Sequence, residues 1–133
     1  MLKQIVLTCV LVTTLAACSP SLQTSSGDSV LVDQLYFGRN VQGVFAVSDS
    51  AWDVFIRDVV TPRFPNGLTI WSARGQWLGA NGQIEREPSF VLELVHPMSA
   101  SIETDVGTII SEYKRRFRQE SVMRLVMKGH VTF

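Results

Sequence analysis

The chain has 133 residues, 46% of them hydrophobic and 18% charged, with twelve basic and twelve acidic side chains. Such a length and composition suit one globular domain, and the charge balance offers no cationic surface to nucleic acid. No Gly-rich phosphate loop, nucleophile elbow or paired-histidine spacing occurs, so most familiar enzyme classes are excluded and neither cofactor nor metal is expected.

Lys3, the apolar stretch from Ile5 to Ala16 and the small Ala17 read as a signal peptide over residues 1–17. A membrane span needs roughly twenty apolar residues, and Ser19, Pro20 and Ser21 interrupt too early. Leu15-Ala16-Ala17-Cys18 resembles the bacterial lipobox. That resemblance implies cleavage before Cys18 and acylation of its thiol, and two or three chains hold firmly because each buried methylene contributes about 0.8 kcal/mol. Ser19, rather than Asp, implies by the lipoprotein sorting pattern an outer-membrane protein facing the periplasm where the host is Gram-negative. Cys9 leaves with the signal and Cys18 is acylated, so no disulfide or Cys-ligated metal is available. Residues 18–29, rich in Ser, form the lipidated cysteine and its flexible tether, and residues 30–133 form the domain.

Val30 to Phe37 reads as a first strand, with Leu31, Asp33, Leu35 and Phe37 on one parity. Ser48 is placed as an N-cap, with Val47 and Trp52 as a hydrophobic staple, and Trp52, Phe55, Ile56 and Val59 recur at helical spacing until Pro62. Leu68 to Leu78 is a second strand, with Thr69, Trp71, Ala73, Gly75 and Trp77 on one face and Ile70, Ser72, Arg74 and Gln76 on the other. Asn81-Gly82 predicts a hairpin into a third strand from Ile84 to about Val95, in which Pro88 marks a bulge or an unpaired position. Ile102, Val106, Ile109, Ile110, Tyr113 and Phe117 form the stripe of a second helix over about Ser101 to Phe117. Ser121 to Met127 is the last strand, which His130 to Phe133 either extends or leaves frayed.

This order predicts an α+β, ferredoxin-like βαββαβ domain, a four-stranded antiparallel sheet with two helices on one face. The open face is expected to present Gln34, Tyr36, Arg74, Gln76, Val91, Glu93 and Arg124, and is solvated, paired with a second copy as a homodimer, or the floor of a site.

Leu35-Tyr36-Phe37-Gly38, Trp52 with Phe55 and Val59, Thr61 to Thr69, Gly75-Gln76-Trp77, His96-Pro97, and Tyr113 through Arg116-Phe117 to Val122 stand in order along the chain. Together they resemble the domain of unknown function 3574 family, over nearly all of the mature domain. The resemblance implies an exported protein and supplies no reaction.

Five residues are binding candidates: Tyr36, Arg63, Gln76, Trp77 and Arg116. Arg63, on a loop stiffened by Pro62 and Pro65, is either an anion clamp or an internal partner of Glu85 or Glu87. Gln76 and Trp77 near the hairpin either line a site or belong to solvent and core. Arg116 at the end of the second helix either caps the helix dipole or meets an anionic ligand. His96 and Glu87 are the candidates for acid and base chemistry, with Glu87 or Glu93 as the carboxylate companion of His96. Two functions fit these residues. One is a lipid-anchored envelope module that binds a partner; the other is a small cofactor-free enzyme of the dimeric α/β-barrel type, with Arg63, Glu87 and His96 near its site.

Overall fold

A computed structural model describes residues 27–41, 44–79 and 81–133. The signal peptide, Cys18 and most of the tether lie outside the described residues. Strand β1 (Asp28–Gly38) is followed by a two-residue ladder of β2 (Asn40–Val41) and β3 (Val44–Phe45), then helix α1 (Asp49–Phe55), which runs into a π-helical turn, Ile56–Val60. Strands β4 (Thr69–Leu78) and β5 (Ile84–His96), helix α2 (Ala100–Phe117) and strand β6 (Met123–Val131) complete the order.

The main sheet has the order β4-β5-β1-β6 with every pair antiparallel, which is the ferredoxin-like arrangement. Both helices cover the same sheet face. Leu35 and Phe37 from β1 and Phe90, Leu92 and Leu94 from β5 pack there against Trp52, Phe55 and Val59 and against Val106, Ile109 and Tyr113. Aromatic rings fill the centre, with Trp52 stacked on Phe90 at 4.5 Å and Phe37 edge-on to Tyr113 at 4.6 Å.

Local signals act where the sequence puts them. The Ser48 side chain accepts from Ala51 N at 3.2 Å, and Val47 and Trp52 are both buried in the core. Gly82 takes φ 75°, Gly79 N donates to Gln83 O at 2.8 Å, and Asn81 Oδ1 accepts from Gln83 N at 2.9 Å, so Asn81-Gly82 makes the hairpin turn. Pro88 causes no bulge, because the β4–β5 register runs unbroken through Arg74 opposite Pro88. Its carbonyl accepts from Arg39 N on the side that β1 has left, so its missing N–H interrupts no ladder bond. Asp28 pairs with Val131, so β1 begins two residues inside the segment read as tether and β6 takes in His130.

Three open-face assignments are corrected by the register. Ile70 opposes the core residue Leu92, so Arg74 and Gln76, of the same parity as Ile70, lie on the helix side of β4, while Trp71 and Trp77 turn to the open face. Leu35 opposes Arg124, which therefore also faces the helices. An acid at Asp33 on the core face draws that guanidinium inward. Gln34, Tyr36, Val91 and Glu93 are on the open face as expected.

Candidate functional site

The open face is laid out in rows across the four strands. Thr69, Glu93, Gln34 and Leu125 form one row; Trp71, Val91, Tyr36 and Met123 the next; Val95, Val32 and Met127 a third. Val95, Trp71, Met123, Leu125 and Met127, spread over these three rows, are between 38% and 60% exposed. A polar line crosses the face: the Tyr36 hydroxyl donates to Gln34 Oε1 at 2.9 Å, and Gln34 Nε2 donates to Glu93 Oε2 at 2.8 Å.

Past the end of β1 the β4–β5 hairpin continues alone. Glu87 lies there, its Oε2 accepting from Asn40 N at 3.0 Å. Its carboxylate covers Gly38, where a Cβ would overlap it, so any larger residue there has to push the glutamate aside. Burial pushes the Glu87 carboxyl up, against the hydrogen bonds from the Asn40 and Arg39 backbone. Arg74, Gly75, Gln76, Arg86, Glu87 and Pro88 line a shallow depression of about 670 Å³ here. Trp77 stands on the open side near the hairpin tip, opposite Glu85.

The opposite end of the sheet holds a buried ionic network. Asp33, wholly buried, accepts from Arg124 Nε at 2.7 Å and Nη2 at 2.9 Å, and its Oδ2 lies 2.8 Å from His96 Nε2. Arg124 also reaches Glu103 in the first turn of α2, and His96 Nδ1 lies 3.0 Å from Pro97 O. The companion of His96 is therefore Asp33, not Glu87 or Glu93. Glu93 points to the other face, and Glu87 is nine residues away along β5, roughly 30 Å at about 3.3 Å per residue. Arg63 Nη1 donates to Val59 O at 2.7 Å and its Nε is 3.6 Å from Asp105, so its internal carboxylate is neither Glu85 nor Glu87. Arg116 pairs with Glu112 at 3.2 Å and borders a depression of about 360 Å³ with Val41, Val44, Ala46, Phe117 and Arg118.

The candidates thus divide. Gln76 and Glu87 share one depression; Arg63 and His96 lie at the far end of the molecule in internal pairs; Tyr36 and Trp77 are on the open face. The sequence reading missed Arg124 as a partner of Asp33 and Glu103 as the second carboxylate on Arg124. The available signal was an acid on the core parity of β1, since a buried carboxylate requires a cation.

Residues 32–133 match the family described as "Protein of unknown function (DUF3574)". The chain belongs to this family. Two of the segments noted in the sequence meet where the Tyr113 hydroxyl donates to Gly38 O at 2.8 Å, and beside them Gln119 Nε2 donates to Asn40 O at 3.0 Å. No curated protein matches the chain. Among solved structures, a phage SAM lyase in complex with S-methyl-5'-thioadenosine is similar with a TM-score of 0.61 at 21% identity, over 84% of this chain and 90% of that one. A phage SAM lyase in the apo state gives 0.59 at 20% identity, over 81% and 87%. At these identities the likeness is one of fold.

Proposed function

We propose that this DUF3574 protein is a lipid-anchored component of the bacterial cell envelope whose domain is a binding module, pairing with a second copy through the open face of its sheet. The alternation of β6 carries this reading. Met123, Leu125 and Met127 point away from the helices, while Arg124, Lys128 and His130 share the helix side with Val126 as its one apolar residue in this run. A half-buried strand normally turns its apolar residues to a core, and here the missing core is a second surface. The exposed apolar area is on the order of 500 Å², taking about 150–250 Å² for each fully exposed large side chain. Two such faces with their polar rims reach the roughly 1,200–2,000 Å² of a stable interface. The lipobox at Leu15 to Cys18 supports the anchor.

Sedimentation equilibrium of the mature domain tests the pairing. A dimer that Leu125→Glu converts to monomer, with folding retained, is the expected result; a wild-type monomer at all concentrations rejects it. Labelled palmitate incorporated by the wild type and lost in Cys18→Ala tests the anchor.

A second reading, the small cofactor-free enzyme, is supported by the fold shared with a lyase that holds S-methyl-5'-thioadenosine. Of its three named residues only Glu87 adjoins a depression open to a ligand; His96 faces the helices and is held by Asp33. Incubation of the domain with SAM, followed for release of S-methyl-5'-thioadenosine, separates the two readings. Release abolished by Glu87→Gln favours the enzyme.

A further inference from the structure

Glu93 sits in the middle of the open face, fixed from one side by Gln34, which Tyr36 holds in turn. The open-face positions of the four long strands hold four carboxylates, Asp28, Glu85, Glu87 and Glu93, and no Lys, Arg or His. Glu87 is occupied by the Asn40 backbone, and Asp28 and Glu85 stand at opposite extremities of the sheet. Glu93 alone lies among the apolar rows, one position along the sheet from Trp71 and Tyr36 and opposite Thr69.

The reading above has a second copy cover this surface, and the present inference rests on it. Covering the face removes water from Glu93, and the open-face strand positions of a second copy bring no cation to it among the described residues. An uncompensated carboxylate in such a place opposes the association that the apolar rows favour. We infer that the paired face encloses a weakly hydrated organic cation, an alkylated ammonium being the simplest form, whose charge meets Glu93 and whose alkyl groups lie against Trp71 and Tyr36. Aromatic faces attract such a cation through their quadrupole, most strongly when water is excluded. The donor set favours it over a metal ion: the carboxylate's neighbours are an amide, a phenol and an indole, and no group of three metal-ligating side chains occurs among the described residues. The Gln34 amide and Tyr36 hydroxyl act as positioning groups, holding the carboxylate while leaving its second oxygen to the ligand.

Sedimentation equilibrium of the mature domain in tetramethylammonium chloride and in sodium chloride of equal ionic strength tests this. Tetramethylammonium is expected to lower the dimer dissociation constant of the wild type by about tenfold relative to sodium, since a ligand bound only by the dimer draws the equilibrium toward it. Glu93→Gln is expected to pair at least as tightly as the wild type in sodium and to show no difference between the salts, and Trp71→Leu to lose most of the difference. A wild-type dimer indifferent to the salt overturns the cation while leaving the pairing intact. An equal response in Glu93→Gln overturns Glu93 as its site. A monomer in both salts overturns the pairing and the cation together.

Discussion

Arg124 grips Asp33 with two nitrogens, at 2.7 and 2.9 Å, across neighbouring strands on the sheet face that the helices cover. Removing the guanidinium leaves a buried carboxylate with only His96 beside it. Arg124→Met is expected to lose about 3–5 kcal/mol of stability in urea titrations, the cost typical of stranding one half of a buried pair. The double substitution Asp33→Leu with Arg124→Met is expected to lose less than Arg124→Met alone, because no unpaired charge then remains.

The same contact sets the response to acid. Burial raises the Asp33 carboxyl, but the hydrogen bonds from Arg124 and His96 more than reverse this, so it lies below its ordinary value. A depressed carboxyl stabilises the fold above the unfolded value, about 3.9, and that contribution is lost as the pH falls through the lower folded value. Below about pH 4 the wild type should therefore lose stability more steeply than Asp33→Asn. Thermal unfolding between pH 6 and pH 2.5 compares the two slopes.

Gly38 and Glu87 are coupled by shape. Gly38→Ala puts a Cβ into the Glu87 carboxylate and is expected to destabilise by about 1–3 kcal/mol, the usual range for overpacking. Truncation of the acid in the same chain, Glu87→Ala, should recover a large part of that loss. A double-mutant cycle by chemical denaturation measures the coupling, and simple additivity would place the strain elsewhere.

Tyr113 joins α2 to the end of β1 through its bond to Gly38 O, and burial pushes its phenol well above the ordinary value, so it remains a donor throughout the physiological range. Tyr113→Phe keeps the ring packing and strands a carbonyl. A loss of about 1–2 kcal/mol is expected, with the near-ultraviolet dichroism of the aromatic cluster largely preserved.

The element order was legible because its signals are local. Trp52, Phe55 and Val59 declare a helix by spacing, Ser48 starts it, and Asn81-Gly82 turns a hairpin with no help from the rest of the chain. Which face each strand turns inward was less legible. In β4 one parity holds two tryptophans and the other holds Ile70; pairing with Leu92 chooses Ile70, a contact more than twenty residues distant. In β6 the apolar parity would be placed inward by pattern alone, and the demand of Asp33 for Arg124 reverses it. Partners of isolated polar residues were the least accessible. His96 meets Asp33 because Leu31 opposes His96 in the register, and Arg63 meets Asp105 because the loop after α1 lies beside α2, neither of which the spacing of residues encodes.

Every residue of β1 from Asp28 to Tyr36 has its neighbour on β6, and the other side of β1 is held by β5. The β1–β6 pair is consequently the last part of the sheet that can close. A nascent chain lacking its final segment has a central strand with one row of amides still open, and a structure dominated by such distant pairings forms slowly. Under the proposal of an exported lipoprotein, that delay would keep the polypeptide threadable through a narrow conduit: assembly would wait until the tail had arrived on the same side as the head.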